Sequence, residues 1–141
     1  MNIQLLRADI ASLKVDALVA PIAARPQEDD RAVVVSGGNV LARFIIQVPV
    51  PHVSDSDADS KLRGATLAAL ERAEELAIAS IGLPAMGAGA FGFPISTCAK
   101  VVLGATLQHH ARARSLQRVV FCLFGEEEYA AFERELGELN H

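Results

Sequence analysis

Glycines at 87, 89 and 92 stand between an aliphatic run, Ile78 to Leu83, and a helix-forming stretch that follows Pro94. The chemistry this order can do is anion binding. A helix start carries unbonded N–H groups and the positive end of the helix dipole. Glycines let the backbone turn sharply, and they let a phosphate approach where a Cβ would block it. The stretch from Leu83 to Pro94, with its glycines at 87, 89 and 92, therefore reads as a candidate anion loop. Phe91 and Phe93 are apolar residues among small ones, so one of them can close over a ligand. A second reading stands beside it: a tight strand-to-helix turn with both phenylalanines in the core.

The other chemistry-bearing residues form no set. Glu28, Asp29 and Asp30 can act as a general base or hold a metal, but such a cluster also serves as a solvated loop. His109 and His110 are adjacent, so on a helix they face different directions and make no metal pair. His52 and His141 have no ligand-like neighbours in sequence. Cys98 and Cys122 lack metal spacing and read as small buried hydrophobes rather than a disulfide. No nucleophile–histidine–carboxylate set emerges from spacing. The expectation is no metal and no cofactor.

The elements that must position the loop follow from periodicity. Strands are predicted over Asn2 to Arg7, Val15 to Pro21, Arg31 to Ser36, Arg43 to Val50 with stops at Pro49 and Pro51, Ile78 to Leu83, and Arg118 to Phe124. Asp9 opens a short turn before Leu13, and Gly37-Gly38-Asn39 makes another turn. A helix is predicted from Ala58 to Leu76, with Leu62, Ala65, Ala69, Leu70, Ala73, Leu76 and Ala77 on its apolar stripe. Lys61, Arg63, Glu71, Arg72, Glu74 and Glu75 form its solvated face. A second helix, capped by Ser96 or Thr97, runs to about Arg112 with Cys98, Val101, Val102 and Ala105 inward. A third spans Glu126 to Leu139 and packs Tyr129, Phe132, Leu136 and Leu139. Strands first, then alternating helices and strands, predict an α/β fold: a mixed sheet in a three-layer α/β/α arrangement with helices on both faces. Ligands in such sheets sit at the carboxyl ends of the parallel strands.

The chain has 141 residues, 51% hydrophobic, which suits one domain over residues 1–141 with one core. The net charge of −4 and scattered basic residues give no bulk attraction to nucleic acid, which is not an expected partner. No apolar run approaches a membrane span, and Met1 to Arg7 is a strand pattern rather than a signal segment. A membrane is not an expected partner, and the cytoplasm is the expected location.

With these residues in view, the chain resembles a macrodomain, the fold that binds ADP-ribose. Ala8-Asp9-Ile10 resembles the family's opening motif, and Val15-Asp16-Ala17-Leu18-Val19 its second strand. Gly37 to Val48 resembles the approach to a central strand. Leu83 to Pro94 resembles the family's second phosphate-binding loop, and Val120 to Phe124 with Glu128, Tyr129 and Phe132 its last strand and helix. The resemblance implies roles. Asp9 accepts from the adenine amino group, and Ile10 lends a backbone amide. Gly87, Ala88, Gly89, Ala90 and Phe91 wrap the diphosphate, with Phe91 near the distal ribose. Phe124 stacks on adenine. The residues alone leave two alternatives open: Asp9 as a cap of its turn, and Phe124 as a core residue.

One departure from the family pattern is clear. No asparagine occurs between Val19 and Arg31, and the family's first glycine-rich loop with its helix has no counterpart. Pro21 and Pro26 donate no N–H, and Glu28, Asp29 and Asp30 repel a diphosphate if they face it. The expectation is a reduced macrodomain that binds ADP-ribose or a related nucleotide weakly and without catalysis. The alternatives are a hydrolase of ADP-ribose esters or ADP-ribosylated protein, and a structural domain whose homodimer covers the surface left by the lost helix.

Overall fold

A computed structural model describes residues 1–23, 32–36 and 41–139. The Gly37-Gly38-Asn39 turn, the acids at 28 to 30, and His141 lie outside the described residues. Among the described residues, six strands form one sheet: β1 (Asn2–Leu6), β2 (Ala17–Ala23), β3 (Val33–Ser36), β4 (Phe44–Val50), β5 (Ser80–Leu83) and β6 (Arg118–Cys122). Their order is β1-β6-β5-β2-β4-β3. Every pairing is parallel except β3 with β4. The aliphatic runs of β2, β5 and β6 fill the sheet's interior, as parallel strands covered on both faces require. Ile81, Val119, Val120 and Phe121 are fully buried.

Two strands outrun their prolines. β2 continues past Pro21 to Ala23, and β4 runs through Pro49 to Val50 instead of stopping there. β5 pairs with β2 only at Ala17 and Leu18, and β3 reaches along β4 only to Gln47. Among the described residues, each proline therefore pairs with a single neighbouring strand, the kind of position where a missing N–H is tolerated.

Among the described residues, three α-helices accompany the sheet: α1 (Ala58–Glu75), α2 (Ile95–His110) and α3 (Glu126–Leu139). α2 does not use Ser96 or Thr97 as its cap. Pro94 holds that position, and its carbonyl accepts from the Cys98 amide at 3.0 Å. Phe132 is fully buried, but Leu139, expected inward on α3, is 38% exposed at the helix end. No described helix is long and apolar enough to cross a membrane.

The helices stand in one row, α1 against α2 and α2 against α3. Both crossovers, β4 to β5 and β5 to β6, step across the sheet in the same direction. Right-handed connections then place α1 and α2 on one face. That face holds the main core, where Leu62, Leu70, Leu103 and Phe132 meet Ile46, Leu83 and Phe121. The β1-to-β2 connection steps the other way and covers part of the second face with Leu13, Val15 and Ile10 against Leu18, Val120 and Cys122. The mixed α/β sheet is the one expected. Among the described residues, the three α-helices pack on the face of the main core and the 3-10 turn Ile10–Ser12 on the other.

Glu74 corrects the predicted solvated face of α1. Its side chain is fully covered. One oxygen, Oε2, accepts from His109 Nε2 at 2.8 Å and the Arg114 amide at 3.0 Å. The other, Oε1, accepts from the amides of Ser115 and Leu116 and from the Ser115 hydroxyl. The turn between α2 and β6 has amides that neither element pairs, and this carboxylate satisfies them. Burial pushes the carboxyl pKa up, but the His109 ring and the amides of Arg114, Leu116 and Ser115 outweigh it and hold it at about 2. His110, the neighbour of His109, is exposed, so the two rings do face apart.

Candidate functional site

Parallel pairing sends the exits of β1, β6, β5, β2 and β4 to one edge of the sheet. The strand order fixes what stands beside what. Asp9 and Ile10 follow β1, Phe124 follows β6, the glycine loop follows β5, and His52 follows β4. The Leu123 amide donates to the Leu6 carbonyl at 2.8 Å, so β1 and β6 leave the sheet side by side. The chain switches direction across the sheet between β5 and β2, which is where ligands enter such folds.

Asp9 Oδ1 accepts from the Ala11 amide at 3.0 Å and caps the 3-10 turn Ile10–Ser12. The capping alternative is therefore realised. Asp9 remains exposed, and among the described residues its Oδ2 and the Ile10 amide make no hydrogen bond. Phe124 is 78% exposed, which removes the core alternative for it.

The loop after β5 is shaped by left-handed glycines: Gly87 at φ +92°, Gly89 at +69° and Gly92 at +82°. Gly87 is buried, and a Cβ there would meet Leu62 and Phe93 at 3.1 Å. The loop is closed by its own bonds, Phe93 N–H to Gly87 O at 3.1 Å and Gly92 N–H to Gly89 O at 3.0 Å. The Ala88 amide donates to Ala85 O at 3.1 Å, so it is engaged within the loop. The amides of Gly87, Gly89 and Ala90 make no hydrogen bond to a described residue. The two phenylalanines divide the two readings between them. Phe93 is 4% exposed and belongs to the core, while Phe91 is half-buried at the surface. The N-terminus of α2 follows directly and adds its dipole.

His52 is the residue that sequence reasoning missed. The Val53 amide donates to Phe91 O at 2.9 Å and ties the β4 exit to the glycine loop. The His52 ring lies against Gly92, with Nε2 3.2 Å from the place a Cβ would take. The signal was its position just past a strand's carboxyl end, since its spatial neighbours come from far along the chain.

Both thiols are buried, as expected. Burial raises the Cys98 and Cys122 pKa values to about 11, and the charge of Asp9 adds to the rise at Cys122. Thiolates are the reactive form. A thiol reagent at pH 7.5 should therefore label the folded protein at neither cysteine over a time that labels both in urea. Fast single labelling of the folded state would contradict this packing.

Among the described residues, no three His, Cys, Asp or Glu side chains cluster as a metal site. A separate groove of about 390 Å³ lies between α1 and α2, lined by Gly64, Leu67, Glu71, Gln108, Arg112 and Arg114 among others. None of its lining residues comes from a strand exit, and Glu71 is already bonded to Arg114 at 3.0 Å. The carboxyl edge of the sheet is the better candidate site.

Comparison with known proteins agrees with this architecture. The family model described as Macro domain matches residues 17–102. An uncharacterised protein of Sulfolobus acidocaldarius is 30% identical over 101 residues, covering 72% of this chain and 54% of that protein. One of Mycobacterium tuberculosis is 36% identical over 101 residues, covering 72% of this chain and 28% of that protein. The chain thus spans about half the length of the first of these relatives and less of the second. Among solved structures, the Oceanobacillus iheyensis macrodomain with ADP superposes with a TM-score of 0.87 at 20% identity, over 96% of this chain and 90% of that one. The Trypanosoma brucei macrodomain in complex with ADP gives 0.82 at 20% identity, over 96% and 69%. A family model that spans most of the chain, over a sheet of this order, is decisive: the chain belongs to the macro domain family.

Proposed function

We propose that this chain binds ADP-ribose, or a closely related nucleoside diphosphate derivative, at the carboxyl edge of its sheet and does not turn it over. The supporting observation is the order along that edge: the Asp9 carboxylate, the exposed Phe124 ring, and the open amides of Gly87, Gly89 and Ala90. An acceptor for the base amino group, an aromatic face and an anion cradle match the three parts of ADP in sequence. Solved neighbours described as binding ADP and ADPR support the ligand class. The absence of catalysis is inferred from the sequence, where no asparagine occurs between Val19 and Arg31 and residues 24–32 alone connect β2 to β3.

Calorimetry with ADP-ribose, ADP and AMP tests the binding. Saturable binding strongest for ADP-ribose is expected, and no heat at millimolar ligand refutes it. O-acetyl-ADP-ribose and ADP-ribosylated protein test the second half, since product above a buffer control would make the chain a hydrolase.

A second reading has its own observation. Ile22, Val33 and Leu6 lie exposed on the sheet face away from the helices. A homodimer would cover them. Sedimentation at micromolar protein decides it, because a strictly monomeric mass removes this role.

A further inference from the structure

We propose that His52 contacts the ligand and reads the group that extends beyond the second phosphate of a nucleoside diphosphate. This rests on the binding reading above and deepens it. Along the carboxyl edge, β4 lies on the far side of β5 and β2 from β1. A nucleotide with its base at Asp9 and Phe124 and its phosphates at Gly87 to Phe91 runs toward the β4 exit. Whatever follows the diphosphate arrives at His52.

The ring is held ready there by local bonds. The His52 amide donates to Asp55 Oδ2 at 3.1 Å, and the Asp55 amide donates back to His52 O at 2.9 Å. The next residue, Val53, is clamped to Phe91 O. The Ser54 amide donates to His52 Nδ1 at 3.1 Å, with the Ser54 hydroxyl 2.8 Å from the same nitrogen. A ring nitrogen that accepts an amide N–H carries no proton, so the neutral ring keeps its proton on Nε2. Nε2 has no hydrogen-bond partner among the described residues.

Gly92 makes room for this placement. A Cβ at that position would stand 2.9 Å from Val53 Cγ1, 3.2 Å from Nε2 and 3.4 Å from Cε1 of His52. The bare backbone lets the imidazole edge lie against the end of the phosphate loop. The result is an oriented N–H donor just past the last loop amides. Its chemistry suits a hydroxyl or ring oxygen of a sugar, which ADP-ribose has beyond its diphosphate and ADP lacks.

The test is titration of the parent, His52→Ala and His52→Gln with ADP-ribose and with ADP, alongside thermal melts. His52→Ala should weaken ADP-ribose about fivefold, the scale of one neutral hydrogen bond, and leave ADP unchanged. His52→Gln, whose side-chain N–H can replace Nε2–H, should recover most of that loss. His52 is exposed, so the melts should coincide. Equal ADP-ribose affinity in the parent and the alanine variant overturns the proposal. So does a parallel loss for both ligands, which would assign His52 to supporting Gly92 instead. A parent that binds neither ligand refutes the nucleotide reading itself, and the role of His52 falls with it.

Discussion

Glu74→Gln should lower the unfolding free energy at pH 7 by about 3 kcal/mol, the cost of breaking a buried charged network. The glutamine keeps the size of the side chain but turns an N–H₂ toward donors that need acceptors. His109 Nε2 and the amides of Arg114, Ser115 and Leu116 cannot all be satisfied by one amide oxygen. Acid gives an independent signature. The folded pKa of about 2 lies below the ordinary 4.5, so the unfolded chain binds more protons across that interval. The stabilisation from Glu74 is complete above about pH 4.5 and is lost as pH falls through 2. At about 1.4 kcal/mol per unit it amounts to about 3 kcal/mol. Urea unfolding at pH 7 and pH 3 should show the gap between parent and variant narrowing in acid. Glu75→Gln is the control, because its contact with Arg72 at 2.6 Å is exposed. Removing that pair should change stability by less than about 0.5 kcal/mol. A Glu74→Gln loss no larger than the control's would sink the network's role.

Glu74 also shows where sequence reasoning stops. In α1 its position falls beside Glu75 and Arg72, and its formal charge argues for solvent. What buries it is a turn some forty residues away, between α2 and β6, whose amides need an acceptor. No local periodicity carries that need. The prolines of β2 and β4 mislead for a related reason. A proline stops a strand only where a ladder bond is missed, and the lengths of β5 and β3 decide that. Strand and helix identities were legible because each rests on its own apolar pattern: α3 spans Glu126–Leu139, the bounds expected from the sequence. The glycine loop was legible because left-handed backbone at 87, 89 and 92 demands the residue type that is present. The split between Phe91 and Phe93 was not, since it depends on which ring Leu62 and Gly87 can accommodate. His52 was invisible for the same reason as Glu74, its partners being distant in sequence.

Gly89→Glu should abolish nucleotide binding while leaving the fold intact. Gly89 is exposed, and a Cβ there would meet nothing within 4 Å, so the site has room for a side chain. Its φ of +69° is strained for any L residue, at about 1 to 2 kcal/mol. Gly89→Ala isolates that strain and should bind ADP-ribose within about tenfold of the parent. The glutamate adds a carboxylate among the amides of Gly87, Gly89 and Ala90, where the diphosphate is proposed to lie. Like charges about 4 Å apart near a protein surface repel by about 4 kcal/mol, which is about a thousandfold in affinity. Gly89→Gln has the same shape without the charge and should fall between the two. Gly87→Ala should behave differently, lowering the melting temperature, because its Cβ would press on buried Leu62 and Phe93. The decisive comparison is glutamate against glutamine at 89. If the two bind ADP-ribose equally well, no phosphate lies at this loop, and the apolar sheet face becomes the surface to pursue.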